Sequence, residues 1–341
     1  MESMFFPFLL IIFASVFQGS FGLGMKYMAP LKWESWWLVH VVIAMIILPM
    51  LWAFLVVPDL SSVLTTAFTD PSMQSVVYLA MLFGFLWGIG GILFGVSVPY
   101  IGLSLTMGIV MGLAGSIGAL IPLLRMENAT SSPQFPYVIL GLLITLVGVG
   151  ITAKAGIDKD KMTSAVTGEK SNITKGIFIA VACGVLSALL NVGFVEAAPI
   201  AKLAEQMGAV DRNASLAAWV VVLIGAFIMN AGYAIFLLFK NKTWSSFKVQ
   251  GSAKAYRWAI LASIFWFGAL GVYGQGAALI GPIGGVIGWP MLLGLSLIVS
   301  NFWAYRAGEW KGAKKPFNLL LGGLVVLIIA SIILGYSNSV V

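Results

Sequence analysis

Two acids and the single histidine are the proton-exchanging side chains that lie closest to the interior of the long apolar stretches of this chain. Glu34 lies at the start of the second of these stretches, His40 lies within it, and Glu196 lies near the end of the sixth. Ionisable groups are costly inside a bilayer, so those found there commonly serve ion or proton pathways. We therefore take Glu34, His40 and Glu196, with Lys26 in the loop before Glu34, as candidates for proton coupling or gating.

Each candidate also has a purely structural interpretation. Glu196 can be a solvated acid at a helix end, paired with Lys202, instead of a carboxylate that exchanges protons. Glu34 can form an ion pair with Lys26 or a neighbouring lysine, and that pair can be a fixed clamp or a gate. His40 can be a neutral histidine hydrogen-bonded inside a bundle, or a proton relay, because imidazole titrates near neutral pH.

A second group of residues could recognise an uncharged, hydroxyl-rich ligand, which needs flat apolar faces ringed by neutral hydrogen-bond partners. The mid-stretch aromatic and amide residues of this kind are Gln18, Trp87, Asn191, Asn230, Tyr233, Trp266, Tyr273 and Gln275. Buried amides in membrane proteins also serve as hydrogen bonds between helices, so that alternative stays open for each of them. The remaining tryptophans near stretch ends, among them Trp36 and Trp310, are expected in the interfacial aromatic belt.

Ten apolar stretches, each near the length that crosses about 30 Å of hydrocarbon, must position these residues. They run over 5–25, 36–57, 75–96, 101–124, 135–153, 176–198, 215–239, 257–279, 284–304 and 317–336. Sixteen of the nineteen Lys and Arg residues fall in alternate connections between them. Cationic loops stay in the cytoplasm, so both termini are predicted outside a bacterial inner membrane.

The pattern predicts an all-α membrane protein with ten transmembrane helices arranged as two inverted five-helix repeats. The repeats are residues 1–155 and 175–341, joined by a polar cytoplasmic linker at 156–174. Five is an odd number, so the second copy of a duplicated five-helix unit enters the membrane from the opposite side. An offset of 179 residues aligns Trp266 with Trp87 and Gly281 with Gly102, which places the two tryptophans at equivalent positions as two walls of one cavity.

Composition excludes several other classes. With 60% apolar and 9% charged residues and a mean hydropathy of +1.02, the surface must be solvated mainly by lipid. One histidine and one cysteine exclude the usual catalytic triads and multi-thiolate metal centres, so no enzyme activity, cofactor or metal is expected. The cations belong to short loops without aromatic platforms, which argues against nucleic-acid binding.

Several ordered motifs resemble the L-rhamnose-proton symporter family, within the drug/metabolite transporter superfamily. They are Gly24–Val39, Ile47–Pro49, Leu82–Gly91, Gly184–Asn191, Asn230–Tyr233 and Gly308–Gly312. The resemblance implies ten helices in inverted halves and proton-coupled uptake of a deoxysugar. The chain departs from the family pattern at His40 and across Val195–Pro199, which leaves the sugar and the coupling site open.

These observations together predict a secondary active transporter of a neutral monosaccharide, L-rhamnose or a related deoxysugar, that works by alternating access. No cation is expected in the middle of the apolar stretches, which disfavours an anionic or zwitterionic substrate. The expected partners are the sugar, protons and membrane lipid, and the pattern leaves the oligomeric state open. The alternative is an uncoupled facilitator or an exporter of another small polar metabolite such as an amino acid.

Overall fold

The chain forms ten helical spans that are long and apolar enough to cross a membrane. The computed structural model describes residues 5–163 and 173–340, and every regular element within them is helical. The spans are Phe6–Lys26, Trp33–Val56, Gln74–Ile101, Leu103–Arg125, Phe135–Met162, Ile173–Gln206, Asp211–Asn241, Ala253–Ile280, Gly284–Arg306 and Lys314–Ser337. Helices satisfy every backbone donor and acceptor internally, which such apolar sequences require in lipid. The prediction of ten spans is confirmed.

Fourteen α-helices build these spans and one shorter connection. They are α1 Phe6–Ser20, α2 Leu23–Lys26, α3 Trp33–Val42, α4 Leu48–Val56, α5 Leu60–Thr69, α6 Gln74–Ile101, α7 Leu103–Arg125, α8 Phe135–Thr163, α9 Ile173–Glu196, α10 Ala198–Gln206, α11 Asp211–Asn241, α12 Ala253–Ile280, α13 Gly284–Arg306 and α14 Lys314–Ser337. Two 3-10 turns lie at Ala129–Ser131 and Trp244–Lys248. Of the predicted linker 156–174, α8 continues to Thr163 and residues 164–172 lie outside the described part of the chain.

Glycines with positive φ end two of the long helices. Gly102 separates α6 from α7 at φ 80°, and Gly281 ends α12 at φ 91°, just before Pro282. Only glycine adopts such angles without steric cost, so both breaks are encoded in the sequence. Helix α12 therefore ends at Gly281-Pro282.

The second span contains a π-helical turn, Ile43–Ile47, between α3 and α4. Pro49 lies in the first turn of α4. A proline has no N–H, and its ring crowds the carbonyl four residues earlier, which is that of Met45. The wider π turn accommodates this, and it begins three residues after His40. Single π turns of this kind are frequent at functional sites.

Helices α6 and α11 approach each other closely at two glycines. A Cβ atom built on Gly84 would overlap the carbonyl oxygen of Val222, and one built on Gly225 would overlap that of Met81. The two contacts are reciprocal, each pairing a glycine with a carbonyl on the other helix. Small residues allow such backbone contact between membrane helices, where packing rather than the hydrophobic effect drives association.

The packed helices form two compact units. The first unit contains the chain up to Gly88 together with Gly193–Pro282, and the second contains Ile89–Val192 with the chain from Ile283 onward. Two of the boundaries fall inside the continuous helices α6 and α9. The predicted repeats at 1–155 and 175–341 concern duplication, not packing, and they stay a prediction.

Candidate functional site

His40 lies at the centre of an aromatic cluster in the first unit. Its side chain is completely buried, in the last turn of α3. Trp36 stacks on the imidazole, with the ring centroids 5.5 Å apart and an interplanar angle of 12°. Three other rings surround it, with centroids 5.0 Å away for Trp37, 5.2 Å for Phe21 and 6.2 Å for Trp266. These residues, with Ser263, Trp87 and Asn230 described below, are called the His40 cluster.

Hydrogen-bond donors and acceptors around Ser263 determine the tautomer of a neutral His40. The Ser263 hydroxyl lies 2.8 Å from the Ala259 carbonyl oxygen and 3.2 Å from that of His40, and both of those atoms only accept. The single hydroxyl hydrogen is therefore directed to a carbonyl. Nδ1 of His40, 3.0 Å from Ser263 Oγ, must then be the donor. The other ring nitrogen, Nε2, presents a lone pair.

Trp87 and Trp266 extend the cluster. Their ring centroids are 5.5 Å apart at an interplanar angle of 34°, so the two rings contact each other directly. Trp266 is buried and Trp87 is half-buried. The sequence alignment placed them as two walls of one cavity, whereas in the structure they form one continuous aromatic wall that continues the wall around His40.

Asn230 supplies an amide to the same cluster. Its Oδ1 accepts a hydrogen bond of 3.2 Å from Nε1 of Trp37, and its Nδ2 donates to the Ala226 carbonyl at 2.9 Å. Tyr233, one turn further along α11, contacts Trp33 edge-on at 6.3 Å, and Trp33 stacks on Trp37 at 5.4 Å. Tyr233 therefore lies at the rim of the His40 cluster.

Four polar atoms on the first two spans are buried without a hydrogen-bond partner among the described residues. They are Gln18 Oε1, Ser35 Oγ, Trp36 Nε1 and His40 Nε2. Two of them belong to stacked rings of the His40 cluster, and Gln18 precedes Phe21 by three residues, the spacing of one helix face. Buried polar groups are nearly always satisfied in native proteins, by water or ligand where no side chain serves.

Two of the predicted ligand residues belong to a different cluster of the same unit. Tyr273 is fully buried and packs against Phe194 and Trp219, with ring centroids 5.7 and 6.3 Å away. Gln275 donates a hydrogen bond of 3.0 Å to Asn213 Oδ1. Tyr273 follows Ser263 by ten residues on α12, a distance of about 15 Å along a helix. One solute the size of a monosaccharide does not reach both clusters.

Asn191 belongs to the second unit and connects three helices there. Its Nδ2 donates to the carbonyl oxygens of Gly118, at 2.8 Å, and Gly285, at 3.0 Å. The side chain is completely buried. These contacts match the alternative in which a buried amide holds helices together.

Glu34 accepts hydrogen bonds from two neutral donors, and the charge of Lys32, one of the two lysines expected beside it, also acts on its carboxylate. Its Oε1 accepts from Thr243 Oγ1 at 2.5 Å and from Asn241 Nδ2 at 3.1 Å. The backbone N–H of Lys32 also donates to Ser246 Oγ at 2.8 Å. These bonds brace the start of α3 against the end of α11. Lys26 is exposed at the end of α2.

Glu196 is the last residue of α9 and is half-buried. The sixth span does not end shortly after it, as the sequence suggested, because α10 continues the span to Gln206. Pro199 lies in the first turn of α10, where a missing N–H costs nothing. Glu196 thus lies at a junction between two helices and two residues beyond Phe194 of the Tyr273 cluster.

Sequence reasoning missed four members of the His40 cluster: Phe21, Trp36, Trp37 and Ser263. Trp36 was expected in the interfacial belt but is completely buried, and Trp310, expected there too, is 7% exposed. Trp36 and Trp37 precede His40 by four and three residues, so they share its helix face. That spacing was the available signal.

The cluster combines two kinds of chemistry. Aromatic faces and an amide suit the C–H patches and hydroxyls of a neutral polyol. An imidazole lone pair without a partner among the described residues can accept a hydrogen bond or a proton.

Comparison with known proteins places the chain in a family. The sequence profile of the L-rhamnose-proton symport protein (RhaT) family matches residues 4–339. The L-rhamnose-proton symporter of Citrobacter koseri is 29% identical over 313 residues, 89% of each chain. Those of Mannheimia succiniciproducens and Escherichia coli are each 28% identical, over 91% and 89% of both chains. The chain is therefore a transporter and not an enzyme, and it belongs to the L-rhamnose-proton symport family.

Proposed function

We propose that this protein takes up a neutral monosaccharide, L-rhamnose or a related deoxysugar, together with a proton, by alternating access. The observation that carries the proposal is the His40 cluster: a fully buried histidine whose Nε2 has no partner in the described part of the chain, enclosed by aromatic rings, in a chain of a sugar-proton symport family. This one cluster contains aromatic faces and an amide suited to a sugar, and an imidazole nitrogen suited to a proton.

The sugar contacts are assigned to the aromatic wall and its neighbouring polar atoms. Trp266 and Trp87 offer apolar faces to the C–H side of a pyranose, including the methyl group of a 6-deoxysugar. Asn230, Gln18 and the indole N–H of Trp36 offer neutral donors and acceptors to its hydroxyls. None of these proposed sugar contacts is charged, as expected for a neutral solute.

The coupled proton is assigned to Nε2 of His40. In the neutral tautomer fixed by Ser263, that nitrogen accepts a hydrogen bond from a sugar hydroxyl. In the protonated ring it donates one instead, so the charge on the imidazole changes which hydroxyl orientation binds. Glu34, Lys26 and Glu196 lie at helix ends or junctions, where a gating role fits better than contact with the sugar.

The proton gradient supplies enough energy for accumulation. One proton carries about 1.4 kcal/mol per pH unit and about 2.3 kcal/mol per 100 mV of membrane potential. Each 1.4 kcal/mol corresponds to a tenfold concentration ratio, so a one-to-one symporter concentrates sugar by orders of magnitude.

The proposed location is a bacterial cytoplasmic membrane with both termini outside. The alternation of lysine-rich loops supports this orientation. The proposed inverted repeats gain support from Gly102 and Gly281, which adopt similar positive φ angles at positions related by the same offset as Trp87 and Trp266.

Uptake into proteoliposomes tests the proposal. Purified protein is reconstituted and offered labelled L-rhamnose, related deoxyhexoses and ordinary hexoses, with and without an inward proton gradient. We expect accumulation of L-rhamnose or a close analogue only with the gradient. Uptake that equilibrates but ignores the gradient indicates the uncoupled facilitator, and absence of sugar uptake with transport of an amino acid refutes the proposal.

A further inference from the structure

The connection between α11 and α12 carries a concentrated positive charge. We call residues 240–257 the basic connection. Five of its side chains are cationic, and all five are exposed: Lys240, Lys242, Lys248, Lys254 and Arg257. No aspartate or glutamate lies in this stretch. Exposed positive charge of this density, with no acid beside it in the sequence, attracts an anionic partner.

Negative charge in the first unit is concentrated away from the basic connection. Of the acids that the structure describes in that unit, only Glu34 lies near it, and its Oε1 accepts hydrogen bonds from Asn241 and Thr243. The others lie beside α5, beside or within α10, and at the start of α11: Asp59, Asp70, Glu196, Glu205 and Asp211. Helix α11 has 31 residues and separates Asp211 from Asn241 by about 45 Å. These acids therefore do not neutralise the basic connection.

Hydrogen bonds anchor the basic connection to its neighbours. The backbone N–H of Lys32 donates to Ser246 Oγ at 2.8 Å, which fastens the connection to the start of α3. The Tyr256 hydroxyl donates to the Phe247 carbonyl oxygen at 2.7 Å, which fastens it to α12. Between Thr243 and the end of the 3-10 turn Trp244–Lys248, the backbone is also hydrogen-bonded. The cations on this stretch are thus held in place, which reduces the entropy lost when a ligand binds.

Exposed aromatic side chains lie beside these cations. Trp244 is 43% exposed and packs edge-on against Phe239, with ring centroids 5.2 Å apart. Tyr27 stacks on Trp258 at 4.4 Å, and the Lys254 ammonium lies 5.2 Å from the centroid of the Tyr27 ring. Aromatic residues of this kind favour the level of the lipid headgroups. The surface therefore suits a molecule that has an anionic head and an apolar tail.

Position along the chain indicates the same partner. The basic connection joins the spans Asp211–Asn241 and Ala253–Ile280, so most of it lies just beyond their ends. Clusters of four to eight cations beside a membrane span are typical of anionic-lipid sites. We propose that the basic connection binds an anionic phospholipid, with the lipid phosphate on Lys242 and Lys248 and the glycerol and upper acyl chains against Trp244.

Native mass spectrometry of the purified protein tests this site with phosphatidylglycerol as the probe. The dissociation constant measured is that of the first lipid retained from a detergent micelle. Each cation near an anionic surface contributes about a fivefold factor in affinity. Lys242→Gln/Lys248→Gln should therefore bind about 25-fold more weakly. The matched control Lys314→Gln/Lys315→Gln removes two exposed cations at the start of α14. It should stay within about threefold of wild type, since distant sites act independently.

Two further variants separate charge from local structure. Lys242→Arg/Lys248→Arg keeps both charges and should bind at least as tightly as wild type, because guanidinium also binds phosphate. Weak binding by this arginine variant would assign the effect to the conformation of the connection and overturn the inference. Trp244→Ala keeps every cation and should weaken binding about threefold by removing an interfacial ring.

The choice of ligand distinguishes a lipid site from other anion sites. Phosphatidylcholine with the same acyl chains should bind wild type at least tenfold more weakly, because its head has no net charge. Glycerol 3-phosphate at the concentration of the lipid should not displace it, because it has no acyl chains. Equal affinity for phosphatidylcholine, displacement by glycerol 3-phosphate, or equal weakening in the two glutamine variants would each refute the site. None of these measurements involves sugar, so such a result leaves the proposed function standing.

Discussion

Replacing His40 with asparagine should separate proton coupling from packing in the His40 cluster. The asparagine amide still donates a hydrogen bond towards Ser263, in place of the Nδ1–H that lies 3.0 Å from it. It does not titrate at any physiological pH. If His40 carries the coupled proton, the variant should exchange sugar across the membrane but should not concentrate it.

The expected size of the effect follows from the energy of one proton. For one proton per sugar, a gradient of about two pH units supplies about 2.7 kcal/mol, which is about a 100-fold concentration ratio. The wild-type protein should approach that ratio and His40→Asn should approach unity. Counterflow exchange at equal internal and external pH should stay within about threefold of wild type.

Two companion variants control for stability. His40→Ala empties a space bordered by four aromatic rings and should cost about 2–5 kcal/mol of folding free energy, the usual range for such truncations. Ser263→Ala leaves the imidazole in place but removes the acceptor for Nδ1–H, at a cost of about 1–3 kcal/mol.

The measurement is labelled L-rhamnose inside proteoliposomes at steady state, with protein content matched by quantitative gel. Full accumulation by His40→Asn would refute the assignment of the proton to this residue. Glu196→Gln, tested in the same assay, would then show whether the junction of α9 and α10 carries the proton.

Three packing predictions follow from individual contacts. Gly225→Ala should lower the folding free energy by about 1–3 kcal/mol, since its Cβ would overlap a carbonyl on α6. Gly232→Ala should leave it unchanged, because a Cβ there faces open space. The fraction of monomer that survives heating in detergent compares the two variants, and equal fractions would contradict the close approach of α6 and α11. Glu34→Ala should lower the folding free energy by about 1–3 kcal/mol because Thr243 and Asn241 lose a charged acceptor. An unchanged melting profile would argue against the brace. Asn191→Ala should lower the folding free energy by about 1 kcal/mol, typical of hydrogen bonds between membrane helices, and should leave the KM for sugar unchanged. A raised KM in a variant as stable as wild type would instead indicate that Asn191 binds the sugar.

The spans could be predicted because a span is recognised by the hydropathy summed over about twenty consecutive residues, which needs no tertiary contact. The predicted stretch 284–304 corresponds to Gly284–Arg306, and 101–124 corresponds to Leu103–Arg125. The fifth and sixth spans run beyond their predicted ends at 153 and 198, to Met162 and Gln206. Proline ends a helix only in its interior, and in the first turn of α10 it begins one.

The site was predicted only in part, because which residues belong to the His40 cluster depends on tertiary contacts. Trp36 near a helix end resembles an interfacial residue, and the interface favours that residue type. Its burial comes from Ala255, Ala259 and Ala262, a row of small side chains on α12 that makes room for the indole. The sequence contains that row at helical spacing, but nothing in it states which helix packs there.

The tautomer of His40 is a further property that no local pattern contains. Ser263 lies 223 residues away in sequence. Its hydroxyl orientation is set by the Ala259 carbonyl one turn earlier on α12. The identity of the free ring nitrogen therefore follows from the packing of α12 on α3, and substitutions that shift α12 should alter coupling before they alter sugar binding.

If the chain is duplicated, its two halves share some features of the site but not the histidine. Trp87 and Trp266 are related by the repeat offset, and so are Gly102 and Gly281, so a tryptophan and a helix break each occur twice. The histidine occurs once. Duplication would supply two similar surfaces for a solute that binds from either side of the membrane. A stoichiometry of one proton per sugar needs a single titrating group. A second titrating residue introduced on α11 next to Asn230 should therefore change the number of protons per sugar, which the slope of accumulation against the pH gradient measures directly.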